Sequence, residues 1–314
     1  MIKIVKVKKQ LQEKKEQDDK WLLQAPSSED CDFILSDDES YRVEDENGNM
    51  VFTILRNSVP KDLGYEYYRA IKDGKAITRS DLRNIAAGIE VDRKNYVTRV
   101  SKRKTNTPRS YHFVESSIIG FYDRYPRINY CRKTSWVLNN PKLWEKVKGY
   151  TYHLNDLYKV NCPNEYKQHT SITNKTSPDF LIPGTGFTTI TLNRNFRTHY
   201  HRDAGNLQEG FAAMSYIKRG KFKGGELVFP NYRVGVKLKN YDIIVFKNTE
   251  IHGNTEIIKS NKDADYERIT SVFFYRKNMI YCGTAEEELE RTKRNKGDQI
   301  IGPTTEDLNK GRFS

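Results

Sequence analysis

Short apolar runs alternate with polar segments through the second half of the chain, and their residue types are typical of β-strands. They are rich in β-branched and aromatic residues, and Gly, Asn and Lys separate them. The runs are Phe187–Asn193, Phe211–Lys218, Gly225–Phe229, Val234–Leu238, Asp242–Phe246 and Ile269–Tyr275. Because many short strands separated in this way are typical of a jelly roll, we predict a double-stranded β-helix core at about residues 185–277.

The first half of the chain adds a hairpin, a further strand and two helices. Tyr41–Leu55 predicts a β-hairpin in which Asn47-Gly48 forms a type I′ turn with positive φ at both residues. A helix is predicted from Pro60 to about Lys72, and Ser116–Asp123 predicts a buried strand. Pro141–Val160 has apolar residues at helical spacing and predicts a long helix behind the sheet. The predicted fold class is therefore α+β, a jelly-roll core backed by helices.

Three segments define the expected organisation of the chain. Residues 1–40 form a basic and polar extension that is partly flexible, residues 41–282 form the main domain, and residues 283–314 form a helix and tail. Within the main domain, Cys162–Pro183 is polar and predicts a loop at the mouth of the barrel that covers a substrate. Ala285–Lys296 is acidic first and basic later, which favours a helix.

Composition restricts the location and the partners. No run of eighteen apolar residues predicts a membrane span, and the lysine-rich start lacks the apolar centre of a signal peptide. The four cysteines, which form no CxxC pair, are interpreted as reduced, incidental thiols of an intracellular protein, nuclear or cytoplasmic, in a host cell if the source is viral. No membrane and no protein partner is predicted.

The net charge of +13 and the pI near 9.3 favour a polyanionic partner, first of all nucleic acid. The most basic window is Arg93–Arg109, a loop without an acidic residue, and its Lys102, Arg103 and Lys104 are candidates to follow a phosphate backbone. The alternatives are a solvated charged loop, and a lysine-rich surface that reflects an AT-rich genome.

A metal site is indicated by His201-x-Asp203, by His252 forty-nine residues later and by Arg268 sixteen residues after that. In extended chain, residues two apart face the same side, so His201 and Asp203 can hold one ion. Two imidazoles and one carboxylate are the ligand set of non-haem Fe(II) oxygenases. Arg268 and Thr270 share one face of the last strand, where an arginine can bind a dicarboxylate through two parallel hydrogen bonds.

The remaining polar residues near this pattern have weaker signals. His112, His153 and His169 are interpreted as packing or surface residues. His199 shares a face with His201 in regular extended chain and is predicted to be a fourth polar group in the pocket, beside the metal ligands or facing the substrate. Asn193 and Arg197 flank the ligands and are candidates to contact cosubstrate or substrate.

The order His-x-Asp, Gly-Gly-x-Leu-x-Phe, His-Gly-Asn and Arg-x-Thr resembles the Fe(II)/2-oxoglutarate dioxygenases. The segment Asn195-Phe-Arg-Thr-His-Tyr-His-Arg-Asp-Ala-Gly-Asn206 is most similar to their nucleobase-oxidising branch, the TET methylcytosine dioxygenases, the base J thymine hydroxylases and viral, phage, algal and fungal relatives. The resemblance implies Fe(II) held by His201, Asp203 and His252, with 2-oxoglutarate at Arg268 and Thr270. O2 is the further cosubstrate, and ascorbate is a candidate reductant.

The same resemblance implies a substrate and a reaction. The expected reaction is oxidation of the methyl group of 5-methylcytosine, to 5-hydroxymethylcytosine or further, or of thymine, to 5-hydroxymethyluracil, in double-stranded DNA with the base flipped out. It also places Arg83 and the adjacent Asn84, before an Ala-Ala-Gly run, near the substrate; the alternative there is a helix cap with surface charges.

Two other functions remain open at this point. Prolyl and lysyl hydroxylases of proteins have the same iron ligands, and a basic DNA-binding module can keep the fold without turnover. The intact ligand set argues against the second of these. Zinc is disfavoured, because an arginine for a dicarboxylate has no role in zinc hydrolysis.

Overall fold

The computed structural model describes residues 1–10, 21–80, 114–124, 128–203, 205–260 and 265–295. Most strands belong to one ten-stranded sheet with the order β1-β3-β4-β13-β9-β16-β8-β6-β5, in which β7 pairs with β6 alone. Its strands are β1 (Lys3–Lys6), β3 (Tyr41–Glu44), β4 (Met50–Leu55), β5 (Arg79–Ser80), β6 (Val114–Tyr122), β7 (Arg132–Lys133), β8 (Thr189–Arg194), β9 (Phe211–Gly220), β13 (Ile243–Lys247) and β16 (Tyr266–Phe274).

A smaller sheet of four strands has the order β14-β11-β12-β2, and a separate pair joins β10 to β15. These strands are β2 (Phe33–Leu35), β10 (Phe222–Gly224), β11 (Leu227–Phe229), β12 (Val234–Val236), β14 (Gly253–Asn254) and β15 (Ile257–Lys259). The small sheet packs on the large one: Phe52 of β4 stacks on Phe229 of β11 with ring centroids 4.8 Å apart. The predicted jelly-roll core is thus confirmed.

Helices cover the other face of the large sheet. They are α1 (Lys61–Asp73), α2 (Ser135–Asn139), α3 (Pro141–Asn161), α4 (Pro163–Thr173) and α5 (Ala285–Asn295). Tyr67 of α1 stacks on Tyr150 of α3 at 4.0 Å, and both rings lie against Phe273 of β16. None of the helices in the described part of the chain has the length and apolar character needed to cross a membrane.

Strand alternation separates the two cores. In β13, Ile243 and Val245 belong to the helix-side core, whereas Ile244 and Phe246 belong to the core between the sheets. Each strand of this kind is buried on both faces, so it appears in the sequence as a continuous apolar run. The predicted strands and the predicted helices at Pro60 and Pro141 therefore agree with the structure within a few residues.

The turn of the first hairpin differs from the prediction. Gly48 has φ +80°, but Asn47 is not among the residues with positive φ, so the turn is not type I′. The carboxylate of Asp45 accepts hydrogen bonds from the backbone N–H groups of Asn47 and Asn49 at 2.9 and 2.8 Å. This local hydrogen bonding by aspartate favours a longer turn, in which Gly48 alone needs the left-handed conformation.

The interpretation of Cys162–Pro183 as a loop over the barrel mouth is wrong. Pro163–Thr173 forms α4 on the helical side, followed by a short 3₁₀ turn. Two polar residues of α4 are buried with hydrogen-bond partners: His169 bonds to the backbone oxygen of Gly186 at 2.7 Å, and Glu165 accepts from Arg42 at 2.7 Å. The polar composition of this segment was interpreted as a loop. Composition alone does not show which polar side chains form internal hydrogen bonds and can be buried.

The interpretation of all four cysteines as reduced thiols is also wrong. Cys131 and Cys282 form a disulfide, with Cα atoms 5.9 Å apart and a sequence separation of 151 residues. Cys31 and Cys162 are free. The bond joins the residue before β7 to the segment before α5, and spacing along the chain gives no indication of such a distant contact.

Candidate active site

The chain after β8 runs as an irregular strand with neighbours on both sides. His201 exchanges two backbone hydrogen bonds with His252, at 2.9 and 3.1 Å. On the other side, Tyr200 exchanges backbone hydrogen bonds with Leu23 and Gln24 at 2.9 and 3.0 Å. The N-terminal segment thus supports the strand that contains His201. The backbone pairing places His201 and His252 directly opposite each other.

His201, Asp203 and His252 offer ligand atoms that all lie within 4.8 Å of one another. Nε2 of His201 is 3.6 Å from Oδ1 of Asp203, and the two imidazole rings are 4.6 Å apart. This spacing allows one metal ion to contact all three side chains, and two histidines with one carboxylate leave further coordination positions open for cosubstrates.

Backbone carbonyl groups orient both imidazoles. Nδ1 of His201 bonds to the oxygen of His199 at 2.8 Å, and Nδ1 of His252 bonds to the oxygen of Glu250 at 2.9 Å. A carbonyl only accepts, so Nδ1 of each ring is the protonated nitrogen and Nε2 keeps its lone pair for a metal. Burial and the neighbouring His201 lower the pKa of His252 to about 4, which keeps its ring neutral.

Asp203 is held by an asparagine three residues later. Nδ2 of Asn206 lies 3.2 Å from Oδ2 of Asp203 and 3.2 Å from Oδ1 of Asn248. The side chain of Asn248 in turn donates to the backbone oxygen of Leu207 at 2.7 Å. Asn206 is buried, so this short network fixes the carboxylate that faces the two imidazoles.

Arg268 lies on β16 and is almost fully buried, with 3% of its surface exposed. Its Nη2 donates to the backbone oxygen of Gly225 at 3.0 Å, and its guanidinium lies 5.6 Å from the centre of the Tyr216 ring. Burial lowers its pKa. Among the described residues no carboxylate forms an ion pair with it, and its Nε has no hydrogen-bond partner. A buried guanidinium that lacks an ion pair and has an unpaired N–H group is suited to bind the carboxylate of a ligand.

One cavity of about 280 Å³ connects the three candidate ligands with Arg268. Asn193 and Thr270, directly paired across β8 and β16, also line it. Oγ of Ser116 donates to Oδ1 of Asn193 at 2.7 Å. This bond assigns the amide orientation and leaves the Nδ2 group of Asn193 as the donor for a cavity ligand.

A family model described as "Oxygenase domain of the 2OGFeDO superfamily", Tet_JBP, matches residues 117–277, which include the three candidate metal ligands, Asn193, Arg268 and Thr270. The chain belongs to the Tet_JBP family. The predicted family is therefore confirmed, and membership in the 2OGFeDO superfamily implies Fe(II) and 2-oxoglutarate.

Curated relatives of this family member include thymine dioxygenases. Thymine dioxygenase JBP1 of Leishmania braziliensis is 27% identical over 289 residues, which are 90% of this chain and 32% of the relative. The JBP1 protein of Crithidia fasciculata is 33% identical over 164 residues, 51% of this chain and 20% of the relative. The chain thus spans about a third or less of the length of these relatives.

The fold also agrees with a solved structure of the family. The structure of NgTET1 in complex with 5mC DNA covers 93% of this chain and 90% of its own, with a TM-score of 0.54 and 15% identity. At this identity the similarity concerns the fold alone.

The structure brings most of the predicted pocket residues together and excludes two. His201, Asp203, His252, Arg268, Thr270 and Asn193 line one cavity. His199 does not: its Nδ1 bonds to the oxygen of Leu23 at 2.8 Å, because the N-terminal segment pairs with the chain there. Arg197 instead donates to the oxygen of Pro26 at 2.8 Å. Neither side chain is among the residues that line the cavity, so His199 is not the fourth polar group expected there, while contacts of His199 and Arg197 with substrate DNA stay predictions.

The other predicted substrate contacts, Arg83, Asn84, Lys102, Arg103 and Lys104, lie outside the described residues, as does the Arg93–Arg109 window. Sequence reasoning missed Asn206 and Arg276, which line the cavity, and Tyr216, whose ring lies beside the guanidinium of Arg268. The position of Asn206, three residues after Asp203, is a signal for local hydrogen bonding that the sequence does contain. Tyr216 and Arg276 follow only from strand register.

Proposed function

We propose that this chain is an Fe(II)- and 2-oxoglutarate-dependent dioxygenase that oxidises the C5 methyl group of a pyrimidine base in DNA. The observation on which this depends most is the cavity that holds three candidate metal ligands and a buried arginine that forms no ion pair with a carboxylate of the described residues. A metal and a dicarboxylate are the two ligands that this combination needs.

Each side chain has a defined task in this proposal. Nε2 of His201, Nε2 of His252 and the carboxylate of Asp203 hold Fe(II). When bound, Fe(II) with 2-oxoglutarate and O2 supplies the oxidising chemistry, and the protein supplies geometry, orientation and the exclusion of water. Ascorbate serves as an external reductant in the assay.

Arg268 binds the distal carboxylate of 2-oxoglutarate. Its guanidinium is fixed by Gly225 and by the ring of Tyr216, so its remaining N–H groups, including the unpaired Nε–H, have a constant orientation toward that carboxylate. The hydroxyl group of Thr270 and the amide of Asn193 are the neighbouring donors. The negative charge of the cosubstrate then compensates the positive charge that the fold has buried.

The nucleobase part of the proposal is supported by the relatives. Proteins similar to this chain over most of its length are named thymine dioxygenases, and NgTET1 was solved with 5mC DNA. Thymine and 5-methylcytosine share a methyl group on C5, which lies in the major groove of a duplex. A side-chain-lined cavity reaches that methyl group only if the base leaves the stack. The net charge of +13 favours the DNA that such a reaction requires.

The test uses purified protein with Fe(II), 2-oxoglutarate, ascorbate and duplex DNA that contains 5-methylcytosine. The DNA is digested to nucleosides and analysed by mass spectrometry, with His201→Ala as the control. The expected result is the gain of one oxygen atom on thymidine or on 5-methyldeoxycytidine, absent in the control. If the wild-type protein forms succinate but no oxidised base, the nucleobase proposal fails and peptide and RNA substrates are tested next.

A further inference from the structure

A cluster of aromatic and basic side chains borders the cavity on the side of β6. We name it the Tyr122 cluster, and it consists of Tyr122, Asp123, Tyr130, Arg132 and Arg276. Arg276 lines the cavity as well, so the cluster is continuous with the candidate active site. None of the tasks assigned above uses it.

The β6–β7 hairpin builds this cluster. Tyr122 and Arg132 are directly opposite each other in the register of the two strands. The preceding residue, Phe121, packs into the helix-side core against Trp144 and Phe180. Because successive side chains of a strand point to opposite faces, Tyr122 lies on the face away from the helices. Arg276 follows the end of β16 and reaches the same ring.

Two guanidinium groups share the ring of Tyr122. Cζ of Arg132 lies 4.8 Å from its centre and Cζ of Arg276 lies 5.6 Å from it. Arg132 also lies 5.9 Å from the centre of the Tyr130 ring. Tyrosine rings restrict the rotamers of the arginines and leave the N–H edge of a stacked guanidinium directed outward, which is the edge that binds phosphate.

The charges of the cluster do not balance. Asp123 forms an ion pair with Arg276, in which Nε and Oδ1 are 2.9 Å apart. Arg132 has no carboxylate partner in the part of the chain that the structure describes, although it is partly buried. Burial lowers its pKa, while Tyr130, Tyr122 and Asp123 act in the opposite direction. The two guanidinium groups share the single carboxylate of Asp123, so one positive charge of the cluster has no counter-charge of its own among the described residues.

We propose that the Tyr122 cluster is a phosphate-binding site, which holds a backbone phosphate of the DNA next to the nucleotide whose base enters the cavity. This inference rests on the proposed function. Arg132 is the main ligand, because its charge is not compensated, and Arg276 adds a second guanidinium between that phosphate and the base. Phosphate contacts of this kind fix the register of the DNA and compensate part of the free energy needed to unstack a base.

The first measurement is the DNA affinity of Arg132→Gln at several salt concentrations. We expect roughly three- to tenfold weaker binding and a reduction of about one in the slope of log K against log salt, because one phosphate contact is lost. The matched control is Arg69→Gln on α1, which removes the same charge from an exposed pair with Asp73. The control is expected to bind DNA like the wild type. An Arg132→Gln slope equal to that of the control overturns the inference.

The second measurement locates the phosphate and does not depend on one variant alone. A set of duplexes with one target base each contains a single neutral methylphosphonate at a different linkage. For the wild type, one linkage beside the target is expected to weaken binding, and Arg132→Gln is expected to be insensitive to that linkage alone. The inference is overturned if Arg132→Gln binds all duplexes more weakly but still responds to each methylphosphonate as the wild type does. The substitution would then have weakened binding by disturbing the fold and not by removing one phosphate contact.

The two proposals fail in different ways. If the wild type oxidises the base while Arg132→Gln shows wild-type affinity and linkage sensitivity, only the phosphate site is wrong. If the wild type neither binds duplex DNA nor oxidises a base, the nucleobase function is wrong and the phosphate site with it.

Discussion

Replacing Gly225 by alanine tests how the proposed 2-oxoglutarate site is built. Gly225 has φ +77°, and a Cβ atom added there meets Nε of Arg268 at 2.8 Å and its Cδ at 3.2 Å. The backbone oxygen of Gly225 also accepts the hydrogen bond from Nη2 of Arg268. The Gly-Gly-x-Leu-x-Phe segment therefore has its second glycine directly under the guanidinium.

The expected effect of Gly225→Ala has two parts, a loss of folding free energy and a loss of affinity for 2-oxoglutarate. An L-residue in the left-handed region costs about 1–2 kcal/mol of folding free energy. The methyl group must also displace Arg268, since a contact of 2.8 Å is shorter than real Cβ contacts. If the displacement removes one charge-assisted hydrogen bond to the cosubstrate, binding weakens by about 1.5–3 kcal/mol, which is roughly 10- to 150-fold in Kd.

The assay separates these two parts with a matched variant. Gly48 has φ +80° in the hairpin turn, and a Cβ atom there has no atom within 4 Å. Gly48→Ala therefore reports the backbone term alone. Urea unfolding gives the loss of stability for both variants, and calorimetry with the Mn(II)-loaded proteins gives the Kd of 2-oxoglutarate.

We expect both variants to lose stability, Gly225→Ala more than Gly48→Ala because its methyl group also displaces Arg268, and only Gly225→Ala to lose affinity for 2-oxoglutarate. Equal Kd values for Gly225→Ala, Gly48→Ala and the wild type would refute the reasoning, because they would mean that Arg268 does not hold the cosubstrate in the orientation that Gly225 imposes.

Three further predictions concern the metal site and the stability of the fold. Asn206→Ala removes the hydrogen bond that orients Asp203, a candidate metal ligand, so the Mn(II) affinity by calorimetry is expected to fall roughly 10- to 100-fold, while Asn161→Ala on α3 leaves it unchanged. Burial lowers the pKa of His169 in the folded protein to about 4, whereas the pKa in the unfolded chain is about 6.5. The contribution of the neutral ring to stability is therefore complete above about pH 6.5 and is lost as the pH falls toward about 4. In urea unfolding, the stability difference between wild type and His169→Gln is expected to shrink by about 2 kcal/mol between about pH 8 and pH 5. Loss of the disulfide in Cys282→Ser is expected to lower the free energy of unfolding by about 2–4 kcal/mol, and reductant is expected to lower that of the wild type but not that of the variant.

Each of these has an outcome that contradicts it. Equal Mn(II) affinity for Asn206→Ala and Asn161→Ala would mean that Asp203 keeps its orientation without the amide. A stability difference for His169→Gln that is independent of pH would contradict the neutral, buried state of the ring. For the disulfide, Cys31→Ser is the control, and a wild-type unfolding midpoint that does not respond to reductant would contradict the assigned bond.

The strands of the core were predictable because their signal is local. β9, β13 and β16 are buried on both faces and appear as apolar runs bounded by Gly, Asn and Lys. His201 and Asp203 were predictable as a pair for a similar reason, because residues two apart in an extended chain face the same side. His252 was identified by its position in the order of the segments, and backbone pairing with His201 explains why that order places it correctly.

The features that sequence reasoning missed depend on contacts between distant segments. His199 leaves the pocket because residues 21–26 pair with the chain beside it, which local alternation does not predict. The Cys131–Cys282 bond spans 151 residues. Arg132 lacks a carboxylate partner among the described residues because strand register places it opposite Tyr122, while Asp123 forms its ion pair with Arg276. The spacing of these residues along the chain predicts neither contact.

Asn195 links the metal ligands to the proposed cosubstrate arginine. It ends β8 in the left-handed conformation, φ 54°, which asparagine tolerates better than most residues. Its backbone N–H donates to the oxygen of Arg268 at 2.9 Å, and its Oδ1 accepts from the N–H of Arg268 at 2.7 Å. Both backbone groups of Arg268 are thus held by the residue from which the chain turns toward His201. A shift of β16 by one residue would place Arg268 on the helix side and Ile269 in the cavity. The hydrogen bonds of Asn195 oppose that shift, so the same turn sets the position of the ligand strand and the register of the arginine.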